Sequence, residues 1–166
     1  LGYVYHHGLR VQLHGDPTLN QEYNEPYIDP GADYALSGFL PRQDTVKMTV
    51  TGSVNTKKLG AYELTYLAEY DLDLYFFTLT CRAADTRTVV VRDTKAPQIQ
   101  LLTDPDYFTL PGGTYEEEGF VAGDNHDGDL TGAVVRTQTR DQVIYRVTDS
   151  SGNTAEVIRP IEYSDS

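Results

Sequence analysis

The chain has 166 residues, enough for one full domain or two small ones, and its 39% hydrophobic content with 13 tyrosines can build a core. Acidic residues outnumber basic ones 25 to 13, for a net charge of −12. Such a surface repels nucleic-acid phosphates and anionic lipid headgroups, attracts cations and keeps a secreted protein in solution.

The opening YHHG (5–8) reads as a strand lead-in that binds metal only incidentally through His6 and His7. No signal peptide is evident, and the start at Leu1 is silent about export. LRVQL (9–13) alternates apolar and polar residues, as does VKMTV (46–50), which puts Val46, Met48 and Val50 on one face. AYELTYLAEY (61–70) and LYFFTLTCR (74–82) are rich in β-branched and aromatic residues, the composition of strands. Cys81, the single cysteine, rules out an intramolecular disulfide and reads as a small buried apolar residue. RDTKAP (92–97) is a polar break ending in a proline that cannot donate to a ladder. It divides the chain into units 1–93 and 94–166, and so short a linker favours a stiff rod. QVIYRVTD (142–149) and AEVIRPIEY (155–163) are further strands, joined by a hairpin in which Gly152-Asn153 supply the unusual backbone angles. No segment forms an amphipathic helix of ten residues, and no apolar run reaches the 18 residues of a membrane span.

Residues 10–32 set above 98–120 show an internal repeat. Val11, Gln12 and Leu13 face Ile99, Gln100 and Leu101. Asp16-Pro17 faces Asp104-Pro105, Tyr27 faces Tyr115, and Gly31 faces Gly119, all in one ungapped register. Further on, Tyr66 pairs with Tyr145, and RTVVV (87–91) with RPIEY (159–163), at smaller offsets. The first copy is longer in the loops between these anchors. A repeat of this length sets the count at two domains. Period-2 strands broken by turn residues make the class all-β, with two tandem antiparallel β-sandwiches.

The second copy carries DTKAPQIQL, GDNHDGDLTG and VIYRVTDSSGNTA, and the first carries YIDPGA (27–32) and TGSVNTKKLGAYELTY (51–66). These stretches resemble the bacterial immunoglobulin-like repeat found in tandem on surface and secreted proteins, also seen beside a pesticidal crystal toxin. The resemblance spans roughly residues 9–163. It implies an immunoglobulin-like sandwich and a spacer or adhesion role, and it implies no chemistry. The first copy departs from the pattern twice. DYALSGFLPRQDTVKMT stands where the acidic turn belongs, and AEYDLDLYFFTLTCRAAD stands where D-x-x-G-N belongs. The longer hairpin there offers a new contact surface.

The acidic turn GDNHDGDLTG (123–132) is the main candidate site. It fails as an EF-hand, because Gly128 at position six leaves Gly123 at position one and Val134 at position twelve. A looser calcium site on Asp124, Asp127 and Asp129 stays open. A transition metal would need more than His126, since His6, His7 and His14 belong to the other copy. The favoured reading is a structural corner: Asp and Asn side chains cap backbone N–H groups, Gly128 takes a positive φ, and Leu130 enters the core.

Catalysis finds no support. Glu116, Glu117 and Glu118 read as a solvated edge, Ser150-Ser151 as turn residues, and no nucleophile-elbow, zinc-protease or phosphate-loop motif occurs. Seven tyrosines crowd the first copy: Tyr23, Tyr27, Tyr34, Tyr62, Tyr66, Tyr70 and Tyr75. Most read as core or half-buried strand positions, and the remainder as an exposed binding patch. Glycan stacking of the usual kind lacks its tryptophan. The expectation is a non-catalytic spacer or adhesion module of a bacterial secreted or surface protein, monomeric, with a cell-surface protein or glycan as partner. It has neither a nucleic-acid partner nor a membrane insertion. Its alternatives are a calcium- or glycan-binding accessory module of a larger extracellular enzyme and, more remotely, a hydrolase.

Overall fold

The computed structural model describes residues 8–37, 46–103, 106–109 and 112–163. His6, His7 and the Asp104-Pro105 pair lie outside them. The chain divides into two compact units, Leu1–Arg92 and Asp93–Ser166.

In the first unit, β1 (Leu9–Leu13) pairs antiparallel with β3 (Ala32–Leu36). The facing sheet runs β2-β6-β5-β4. Here β2 is Thr18–Glu22, β4 Lys47–Thr51, β5 Gly60–Leu74 and β6 Phe77–Arg92. β5 and β6 form one long antiparallel hairpin, and β2 lies parallel to the end of β6 from Thr18↔Thr88 to Glu22↔Arg92.

The second unit repeats this plan. β7 (Gln98–Leu101) pairs antiparallel with β9 (Phe120–Asp124), which also pairs with the short β10 (Gly128–Asp129). The facing sheet runs β11-β12-β13-β8. Its strands are β11 (Val135–Gln138), β12 (Gln142–Thr148), β13 (Thr154–Tyr163) and β8 (Tyr107–Thr109), the last parallel to the end of β13. Strand for strand, β7, β8, β9, β11, β12 and β13 occupy the places of β1 to β6. The fold is all-β and immunoglobulin-like, two sandwiches of the same connectivity.

Alternation builds each core. Along β12, Val143, Tyr145 and Val147 are buried, and the residues between them face outward or are half-covered. Along β5 the same holds for Leu64, Tyr66, Ala68 and Tyr70. Each such valine or leucine contributes roughly 1.5–3 kcal/mol by leaving water. Cys81 is fully buried beside Tyr70 and Ala83, as expected.

The structure corrects four details. The extra length of the first unit lies partly in the β4–β5 loop (52–59, against 139–141 in the second unit) and partly in the hairpin strands, where β5 and β6 run 15 and 16 residues against 7 and 10 for β12 and β13. Val50, at the end of β4, is 53% exposed and does not share the cover of Met48. Leu130 is only half-buried and joins the sandwich mainly through its N–H on the Ala122 carbonyl. Gly152 takes a positive φ of 92°, but Asn153 does not; its carboxamide works instead, donating to Asp149 and to the Asp93 carbonyl.

Candidate functional site

Both units close around the same polar core. In the first, Tyr66 (1% exposed) donates to the Asp29 carboxylate at 2.6 Å, and Tyr27 donates to it at 2.8 Å. The fully buried Arg87 lies over the Tyr66 ring at 5.7 Å. Its guanidinium donates to the backbone carbonyls of Asp16 and Gly31, at 3.0 and 3.1 Å, and of His14. Arg87 thereby ties the β1–β2 turn and the start of β3 to β6. In the second unit Tyr145 donates to Glu117 at 2.8 Å, and Tyr115 touches both, at 2.9 Å from Tyr145 Oη and 3.2 Å from Glu117. The fully buried Arg159 donates to the Tyr145 hydroxyl and to Thr103.

Burial, and then the hydrogen bonds with Asp29 and Tyr145, push the Tyr27 and Tyr115 hydroxyls well above the usual tyrosine range. They therefore stay neutral donors. Burial opposes the charge on Glu117, but bonds from Tyr145, the Gly119 N–H, Arg136 and Tyr115 outweigh it and hold the carboxylate below its ordinary pKa. Glu117 is thus no part of a solvated edge. Its main chain is exposed while its carboxylate turns inward, and Arg136 covers it at 2.6 Å.

The acidic corner belongs to the second unit alone. In the 88-residue register Asp124 stands where the first unit has the apolar Leu36. Asp124 Oδ2 accepts from the N–H groups of His126 and Asp127, at 3.0 Å each. Asp127 accepts from the Ser150 N–H and Oγ, at 2.5 and 2.6 Å, and from His126 Nδ1 at 2.8 Å. Asp129 accepts from the Thr131 N–H and hydroxyl. These bonds depress both Asp127 and Asp129, the Ser150 and Thr131 hydroxyls leading. All three carboxylates named as calcium ligands are therefore engaged in capping: Asp124 through Oδ2, Asp129 through Oδ1, and Asp127 through both oxygens, across to the β12–β13 turn. Ser150, Asp127 and His126 have the residue types of a nucleophilic triad in the wrong order. Asp127 stands between the other two, whereas activating a serine requires the imidazole to touch its hydroxyl.

A group that composition concealed lies next to this corner. Asp93, read as part of a polar linker, is 5% exposed and belongs to the second unit. A carboxylate oxygen of Asp93, one of Asp124 and a His126 ring nitrogen lie within 4.8 Å of one another. Asp149 closes the other side, gripping the N–H groups of Ser151 and Asn153 and the Asn153 carboxamide. Elsewhere, His14 pairs with Asp33 at 2.7 Å on the surface of the first unit.

The first unit has its own elaboration, the end of the β5–β6 hairpin. Tyr75, Phe76 and Phe77 are 96, 91 and 61% exposed, with Tyr75 and Phe76 edge-to-face at 5.1 Å. Cross-strand pairs stiffen the stalk beneath them: Thr78 on Asp73, Thr80 on Asp71 and Arg82 on Glu69, at 2.9, 2.8 and 2.6 Å. Each such pair is worth roughly 0.2–1 kcal/mol. Of the seven tyrosines singled out in the first copy, Tyr75 is the exposed one. Tyr66 and Tyr70 are core, and the other four are half-buried. The exposed patch is thus a tip shared with two phenylalanines rather than a tyrosine face.

The two immunoglobulin-like sandwiches share a fold and differ at their loop ends, and the fold alone assigns no chemistry to them. Residues 11–71, most of the first unit, match the family model described as bacterial surface protein, Ig-like domain. Among solved structures, the chain is similar to the lipoprotein BT2262 from Bacteroides thetaiotaomicron. The two are 18% identical, the match covers 93% of this chain and 78% of that one, and the TM-score is 0.36. No curated protein matches the chain. Among the described residues, no helix is long and apolar enough to cross a membrane.

Proposed function

We propose that the chain is a non-catalytic adhesion module, presented on a bacterial cell surface or secreted, and that its contact element is the β5–β6 hairpin tip. The observation that carries this reading is the cluster of Tyr75, Phe76 and Phe77, three large apolar side chains in water at the end of a braced stalk. Exposed aromatics at one point mark a contact site, because rigid rings bury much area at little entropic cost. The occupant that fits is an apolar pocket with a basic rim on a partner protein. Two of the three rings carry no hydroxyl to meet a sugar, and Asp71 and Asp73 put negative charge behind the tip. The same carboxylates, with the net charge of −12, oppose docking on anionic lipid. The surface setting rests on the family matched by residues 11–71.

The test is adhesion of chain-coated beads to cells, with and without prior protease treatment of the cells. A Tyr75→Ser/Phe76→Ser/Phe77→Ser variant should keep the melting temperature and lose adhesion, and protease should abolish adhesion of the parent. Adhesion unchanged by the triple substitution contradicts the reading. So does binding that survives protease but falls to glycosidase or to lipid competition. Self-association lost in the variant would make the occupant a second copy of this chain and overturn the choice of partner.

A further inference from the structure

The pocket between Asp93 and the acidic corner has the composition of a cation site, with a donor set other than the one the sequence motif suggests. Asp93 Oδ1 accepts from the Lys95 N–H at 3.2 Å, while its Oδ2 is buried without a hydrogen-bond partner. Leaving a buried carboxylate oxygen without a partner carries a full desolvation penalty. Its neighbours are carboxylates too, Asp149 within hydrogen-bond reach and Asp124 acting through its charge, and the Asn125 carboxamide ends 3.2 Å from Asp124 Oδ1 and 3.3 Å from Asp93 Oδ1. With its NH2 turned inward, Asn125 donates weakly to both. With its oxygen turned inward, Asn125 faces Asp124 Oδ1 and Asp93 Oδ1 at separations typical of neighbouring ligands around one hard cation, and the two carboxylates lie within 4.8 Å of each other.

We propose that Asp93, Asp124 and the carboxamide oxygen of Asn125 hold a divalent cation, calcium by the chemistry of the donors. Two carboxylates and an amide oxygen on irregular backbone suit an ion that tolerates loose oxygen cages. His126 Nδ1 is engaged with Asp127, so the ring is placed at the rim. Asp149 balances the ion's charge from beyond while keeping its own grip on the β12–β13 turn. Entry is open, because a groove of ≈ 700 Å³ lined by Lys95, Gln98, Asp124 and Asn125 among others leads to the cluster. The bound ion would pin the first residues of the second unit to its acidic corner. Asp127 and Asp129 would keep their capping bonds and take no part.

The experiment is calorimetric titration of the chelator-stripped full chain with calcium, manganese and zinc chlorides at neutral pH, with melting temperatures in parallel. The expected result is saturable binding of one calcium per chain and a rise in melting temperature. Asp93→Asn, which keeps the side-chain shape, should weaken binding at least about tenfold. Asp129→Ala should leave the affinity unchanged. Absence of saturable calcium binding overturns the proposal. So does affinity that survives Asp93→Asn, or that falls equally in Asp129→Ala, the mark of diffuse attraction to an acidic surface. Zinc bound in preference to calcium, and lost on His126→Gln, contradicts the oxygen cage. The readout is heat of binding, so neither result depends on the adhesion reading.

Discussion

The two units share a core and differ at their ends. Each buries one arginine and one tyrosine and turns a partly exposed carboxylate onto the tyrosine: Arg87, Tyr66 and Asp29 in the first, Arg159, Tyr145 and Glu117 in the second. Such a network is costly unless every member is satisfied, and it then fixes one packing. What lies outside it has diverged. The first unit lengthened its hairpin to an aromatic tip and put Leu36 where the second has Asp124, whereas the second kept a short turn and gathered carboxylates around Asp93. The comparison separates residues that hold the sandwich from residues free to acquire a contact.

The largest effect should come from removing either arginine. Arg87→Ala and Arg159→Ala should each cost about 3–5 kcal/mol, by chemical denaturation, because each leaves buried acceptors without a donor. Comparable losses in the two units sharpen the equivalence, and a loss below about 1 kcal/mol in either breaks it. Tyr66→Phe and Tyr145→Phe should cost about 1–3 kcal/mol each, since a partly buried carboxylate loses its donor from the core.

Acid should separate the units next. The Glu117 pKa is lowered from 4.5 on folding, and Asp149 is likewise held low by Asn153 and Ser151 against its burial. A depressed carboxylate contributes stability that is fully present above its unfolded pKa and lost as pH falls through the folded value. The second unit should therefore weaken below about pH 4.5, and Glu117→Gln should flatten that limb of its melting-temperature profile. A flat profile in the parent protein would remove Glu117 from the account. The smallest effect belongs to Asp129→Ala. Losing its bonds to the Thr131 N–H and hydroxyl on an exposed loop should lower the melting temperature less than any of the substitutions above.

Much of the fold was legible in the sequence, because period-2 alternation and glycine-asparagine punctuation are local signals. The matched tyrosines Tyr66 and Tyr145 proved to be core for the same reason that they aligned. The arginines aligned too, at the heads of RTVVV and RPIEY, yet nothing in a lone sequence says that an arginine is buried, since most are at the surface. Their carboxylate partners were within reach: Asp29 and Glu117 stand in the same 88-residue register as Tyr27 and Tyr115. Glu117 was hidden by two flanking glutamates that make the run look solvated. Asp93 was hidden by its place in a polar linker, and its neighbours come from segments about 30 and 55 residues away, a proximity only the fold creates. In the sequence the two hairpin strands stand out as separate segments, 61–70 and 74–82, and the alternation of YDLDL (70–74), which joins the first to the tip, continues the strand between them.

The most direct measurement exchanges one elaboration for the other. In a variant whose residues 73–78 are replaced by the Ser150–Asn153 turn, the first unit should still melt cooperatively, because Leu72 and Leu79, which pack on its core, and Arg87, Tyr66 and Asp29 lie below the cut. Adhesion of beads coated with that variant should fall to the level of uncoated beads. Full adhesion without the hairpin end, or collapse of the first unit on losing it, would contradict the separation of a common core from a divergent contact.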